Sequence, residues 1–134
     1  MADLGAFLVA AGQRRRSPGS WDCACMPADW TIANDYADPM AQRRGAYSTD
    51  EEAHAFIEDA GGLVALFDDY LGRVGIVRRL GDPQMGDIGV LFIGGHTAGG
   101  LFTGERWALV AERGLVFTVA PDRAVQAVWE VVRG

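Results

Sequence analysis

Residues 20–30 read SWDCACMPADW. A proline deep inside a helix breaks it, but within the first turn or so its missing N–H is tolerated. Pro27 therefore predicts a helix that starts close to Asp22 and runs to about Asn34, capped by Ser20 or Asp22. Cys23, Met26, Trp30 and Ala33 fall at i, i+3, i+7 and i+10, along one face of that helix. Cys23 then stands at the N-terminal end of the buried face. Cys25 points elsewhere and reads as a packing residue.

These are the only two cysteines of the chain. A thiol at a helix N-terminus meets unpaired N–H groups and the positive end of the helix dipole, which favour thiolate. Free cysteine is also among the most buried residue types. Nucleophile and small core residue thus both remain open for Cys23. Asp22 fits a capping and orienting role; its charge would raise the thiol pKa if directed at the sulfur.

A nucleophilic cysteine needs a base, normally histidine, within hydrogen-bond reach. The chain has two histidines. His54 falls on a Glu-rich stretch and is expected to face solvent. His96 lies in Gly94-Gly95-His96-Thr97, a hairpin tip, and is the candidate base. Cys-x-Cys does not match the usual zinc knuckle, and neither histidine stands in a ligand pair, so no metal is expected. The glycines at 94, 95, 99, 100 and 104 do not lead from a strand into a helix, so no phosphate loop or other cofactor site is expected.

Outward from this stretch, Leu4, Phe7, Leu8 and Ala11 predict a short amphipathic helix over Asp3–Gln13. Arg14-Arg15-Arg16 reads as its solvated end, favoured by the dipole. Ser48 with Glu51, or Thr49 with Glu52, opens a third helix that Gly61-Gly62 closes. Leu63, Leu66, Phe67, Tyr70 and Leu71 give a fourth, ending near Gly72. From Ile76-Val77 onward short β-type segments follow: 88–93, 98–103, 107–111 and 115–119, then a helical turn at 121–124 and a last element over 125–132. Helices first and strands afterwards predict an α+β fold, with N-terminal helices packed on one side of a small antiparallel β-sheet.

The 134 residues fit a single domain, 1–134. A formal charge of −6 repels phosphate and argues against a nucleic-acid partner. No apolar run has the length of a membrane span, so no membrane insertion is expected. The N-terminal positive charges follow the apolar stretch, whereas a secretory signal places them before it. The chain is expected to stay in the cytosol until it assembles.

The order of motifs is similar to that of the NlpC-type cell-wall peptidases, a papain-like family. There Asp-Cys-Ser-Gly opens a helix, Gly-Asp-Leu-Val-Phe-Phe opens a strand and His-Val-Gly-Ile-Tyr-Ile-Gly forms the next. The chain resembles more closely a family of small proteins of phages and prophages, related to those peptidases and encoded among tail genes. Trp21-Asp22-Cys23, Ala28-Asp29-Trp30, Asp38-Pro39, Arg44-Gly45-x-Tyr47, Gly86-Asp87, Gly100 to Gly104 and Ala127-x-Trp129 carry that likeness.

The resemblance implies an NlpC/papain-like fold with Cys23 in the nucleophile's place. Aligned on the third motif, Ala98 falls at the histidine, and Ala24 replaces the serine. His96 is offset by two residues, about 6–7 Å along a strand, so its use as base requires a loop shift. The implied function is that of a tail-tip or tail-assembly virion protein with a degenerate catalytic site. Its partners would be other tail proteins of the hub or baseplate. It would be made in the bacterial host cytoplasm and end in the virion tail. The alternative is an active cysteine peptidase or amidase that cleaves peptidoglycan stem peptides, with Cys23 attacking and His96 as base.

Overall fold

Trp30 sits on the helix that the fold is assembled around, and its indole needs both an apolar bed and one acceptor. The computed structural model, which describes residues 2–131, supplies both. The ring is fully buried, packs edge-on against Phe7 at 5.3 Å, and donates from Nε1 to the Gly86 carbonyl at 2.8 Å. Gly86 immediately precedes Asp87 and the first strand. One hydrogen bond therefore links SWDCACMPADW to the Gly-Asp turn, across 56 positions of sequence.

Among the described residues the chain forms α1 (Leu4–Ala11), α2 (Cys25–Ala33), α3 (Asp50–Asp59) and α4 (Leu63–Gly72). Five strands follow: β1 (Ile88–Ile93), β2 (His96–Phe102), β3 (Trp107–Val110), β4 (Leu115–Thr118) and β5 (Val125–Trp129), with a 3-10 turn at Asp122–Ala124 before β5. The sheet order is β4-β3-β2-β1-β5, with every neighbour antiparallel. This is a mixed α+β fold, helices first and sheet second.

Alternation along the strands divides the side chains between two layers. Ile88, Val90, Leu101, Ala127 and Trp129 join the helices in the main core with Met26, Trp30, Phe67 and Tyr70. Leu91, Trp107 and Val128 form a smaller cluster on the other face, flanked by Ile93, Phe102, Leu109 and Val125. The capping expectations hold at α1 and α3. Asp3 accepts from the Ala6 N–H at 3.0 Å, and Thr49 from the Glu52 N–H at 3.1 Å. No described helix is long and apolar enough to cross a membrane.

Three segments differ from expectation. Helix α2 begins at Cys25 and not near Asp22, because residues 22–24 form a turn, so Cys23 precedes the helix. Residues 75–80 form no strand of their own. Gly75 and Gly81, at φ 88° and 89°, turn the chain at both ends, leaving only a short run. That run lies along the outer edge of β5, through a bridge between Arg78 and Trp129 and bonds of 2.9 Å from Arg79 N–H to Val128 and from Glu130 N–H to Val77. The arginine run is not a helix end either, because α1 stops at Ala11. It forms a strap on the β3–β4 hairpin, with Arg16 N–H donating to Glu112 O at 3.0 Å and Gly114 N–H to Arg14 O at 2.8 Å. The last element was expected to reach Val132, which lies outside the described residues; its strand ends at Trp129.

Replacing Trp30 with Phe keeps the ring but leaves the Gly86 carbonyl without its donor. Loss of a buried partner costs about 1–3 kcal/mol. Urea denaturation of Trp30→Phe should show a lower midpoint at unchanged slope. An unchanged midpoint would show that this link contributes nothing to stability.

Candidate functional site

The site grows from one carboxylate. Asp22 is buried, and both its oxygens are used. Oδ1 accepts from the N–H groups of Ala24 at 3.0 Å and Cys25 at 2.8 Å; Oδ2 accepts from the Gly19 N–H at 2.9 Å and the Tyr47 hydroxyl at 2.6 Å. The Asp22 carbonyl also accepts the Met26 N–H at 3.0 Å. Asp22 thus holds the backbone N–H groups that lead into α2, whose own N-cap position is Ala24, and ties the preceding turn and a distant tyrosine to them. Burial alone would raise its pKa, but the bonds from Tyr47, Gly19 and Cys25 hold it below the ordinary carboxylate value. The same contact, with burial foremost, raises the pKa of the Tyr47 hydroxyl.

Cys23 lies in the turn just before α2, partly exposed and packed against the main core. Its carbonyl and the Phe67 ring approach β2 so closely that a Cβ at Gly99 would fall 2.6 Å and 2.5 Å from them. Only glycine fits there, so Gly99 sets how near the cysteine turn comes to the sheet. The surroundings of the sulfur oppose ionisation. Burial is the strongest influence and the Asp22 charge the next; a bond from the Gly99 backbone and the Arg16 guanidinium act the other way, and the thiol ends at about 11. That direction is opposite to the depression found in reactive cysteines. Cys25 is fully buried within α2, a packing residue as expected, and burial and Asp22 raise its thiol too.

His96 is exposed at the start of β2, directly across from Ile93. Directly opposed residues of an antiparallel pair share a face of the sheet. Ile93 packs with the smaller cluster, on the side away from the helices. Ala98, opposite Leu91, is on that side as well. The face that Cys23 meets carries Thr97, Gly99 and Leu101, opposite Phe92, Val90 and Ile88. In this register His96 lies on the opposite face of β2 from Gly99, the residue that meets Cys23. His54 is exposed on α3 and pairs with Glu58 at 3.1 Å. Both histidines border a groove of about 500 Å³ between the α3–α4 turn and the β1–β2 hairpin; Phe92 and Thr97 also line it, and Cys23 does not.

The loop after α2 braces the site. Arg44 bonds Asp38 at 2.8 and 3.2 Å and Asp29, on α2, at 2.6 Å, while Gly45 N–H donates to Gly19 O at 3.0 Å. Arg14 stacks on Trp21 at 3.9 Å, and Arg16 pairs with Asp50 and Glu112 beside Cys23. The Trp21 indole N–H is buried with no partner among the described residues. Tyr70 donates to the Ala24 carbonyl at 3.2 Å. Tyr47, Gly99, Arg16 and Tyr70 are the site residues that sequence reasoning did not assign. The motif Arg44-Gly45-x-Tyr47 was the visible trace of the first; nothing in the sequence marked the other three.

No group of three or more His, Cys, Asp or Glu side chains among the described residues could hold a metal ion. Over residues 1–131 the chain matches the family described as a domain of unknown function, DUF6950. It belongs to that family. No match was found among curated proteins or among solved structures. In this DUF6950 chain the motif residues Asp22, Asp29, Trp30, Asp38, Arg44, Tyr47 and Gly86 are all joined to one another or to α2 by hydrogen bonds.

Asp22 also sets a pH dependence. Its lowered pKa means that its stabilisation is complete above the unfolded value of about 3.9 and is lost as pH falls through the native value. Asp22→Asn should cost about 1.5–3 kcal/mol at neutral pH, the range for hydrogen bonds to a charged group. It should also flatten the loss of stability below about pH 4. Parallel acid curves for the two proteins would contradict this role.

Proposed function

We propose that the chain is a tail-tip or tail-assembly component of a phage or phage-derived particle. It uses an NlpC-type, papain-like fold as a structural module and no longer catalyses. The observation that carries this reading is a cysteine in the turn that leads into a helix, packed against Gly99 of β2, on a face of the sheet that holds no histidine among the described residues. Its thiol is pushed up to about 11, chiefly by burial.

The resemblance supplies the reference pattern. In the peptidase motif His-Val-Gly, the glycine follows the histidine by two positions and so shares its face. Gly99 is the glycine against Cys23, so the histidine's place on that face falls to Thr97. That is one residue before Ala98, where linear alignment put it. Neither side chain takes a proton from a thiol at neutral pH. The motifs around the cysteine instead form buried or partly buried bonds that hold the loop 34–49 on α2. They serve shape, which suits a module that docks to hub or baseplate proteins. Nucleic acid is a poor partner for a chain of charge −6. Fold alone does not assign the role; synthesis in a bacterial host cytoplasm followed by incorporation into the tail completes this proposal.

The rival is a cysteine peptidase or amidase acting on stem peptides. It is favoured by one feature: the Gly99 backbone and Arg16 both act on the Cys23 sulfur in the sense that assists ionisation. Purified particles analysed by mass spectrometry, with cross-linking to neighbouring tail proteins, should contain the chain in contact with hub or baseplate components. Zymography on purified cell wall should show no clearing by wild type or by Cys23→Ala. Clearing by wild type that Cys23→Ala abolishes would establish the enzyme and refute the structural-module reading.

A further inference from the structure

The two edges of the sheet are protected unequally. The β5 edge is covered by residues 77–79, and its ladder with β1 carries an irregularity at Val90/Leu91. Covering segments and bulges are ordinary ways of blunting an edge. Among the described residues the β4 edge has neither, and β4 pairs with β3 alone, in an unbroken register from Val110↔Leu115 to Trp107↔Thr118. The strap of residues 14–16 covers only the hairpin tip, at Glu112 to Gly114.

That open edge is also apolar. Residues 115–121, LVFTVAP, carry no charge in a chain with 12 basic and 18 acidic residues. Val116, Phe117 and Val119 are 51%, 46% and 69% exposed. Unpaired backbone groups beside exposed β-branched and aromatic side chains are a template for another strand.

We propose that β4 pairs antiparallel with β4 of a second copy, joining two five-stranded sheets into one. The stretch is self-complementary in that arrangement. Centred on Phe117, the pairing sets each Leu115 opposite Val119 and each Val116 opposite Thr118, while Phe117 meets its own copy. Every cross-strand pair joins good β-formers, and no like charges face one another. Net negative charge opposes self-association over most of the surface, and this uncharged edge is where the opposition is least. A two-fold contact of this kind is closed. Because β5 is already covered, no third copy can extend the sheet, and the product is a dimer, not a fibre.

Sedimentation velocity over roughly 1–100 μM tests this, a range that resolves micromolar dissociation constants. Wild type should reach twice the 14.4 kDa chain mass as concentration rises. Val119→Lys lies beyond the end of the strand at an exposed position and should weaken dimerisation at least about tenfold, with an unchanged thermal melt. Phe117→Lys, within the strand, should do the same. Amide exchange at residues 115–119 should slow with concentration in wild type alone. A monomer at every concentration overturns the proposal, as does a dimer that survives both substitutions.

Discussion

The carboxylate of Asp22 is the point on which the rest of the site hangs. A buried charge is costly unless hydrogen bonds replace its water. Here four donors do so: two from the start of α2, one from the turn before it and one from Tyr47. The arrangement fixes the direction in which α2 enters the core, and so where Cys23 sits. The same charge is one of the two main influences that keep the thiol protonated. The residue that builds the cysteine turn thereby works against the chemistry such a turn could support.

Around this point the structure is a set of cross-links between parts distant in sequence. Arg44 connects Asp38 and Asp29; Trp30 connects α2 to Gly86; Asp68 accepts from Trp129 Nε1 at 2.9 Å and pairs with Arg78. Asp87 is fully buried, pairs with Arg79 and accepts from the Gln84 N–H at 2.8 Å, which shapes the turn into β1. A small domain gains rigidity when its buried polar groups are fully partnered. These bonds give the short motifs a physical reason that does not involve catalysis.

Much of this was legible in the sequence. The presence of four helices, the bounds of β1 and the antiparallel character of the sheet followed from apolar periodicity, capping residues and glycine turns, because those signals are local. Pro27 limited where α2 could begin, but the helix starts at Cys25, and Cys23 lies in the turn before it and not on the helix's buried face. What was not legible depended on register and long-range contact. Which face of the sheet each β2 residue presents depends on register, since a shift of one residue moves a side chain to the other face. Only the close approach of Gly99 to Cys23 and Phe67 fixes that register. The strap at Arg14–Arg16 and the segment along β5 were missed for the same reason. Their partners, Glu112, Gly114 and Val128, lie far away in the chain.

The central claim is that Cys23 occupies a nucleophile's position without a group to ionise it. Its titration tests this most directly, followed through the Cβ carbon resonance of Cys23 in protein labelled with ¹³C at cysteine. The account predicts a single transition near 11, raised by burial and by the Asp22 charge, with no inflection that tracks a histidine. A transition below about 8, the range of activated cysteines, that is lost in His96→Ala would contradict it and restore a working cysteine–histidine pair.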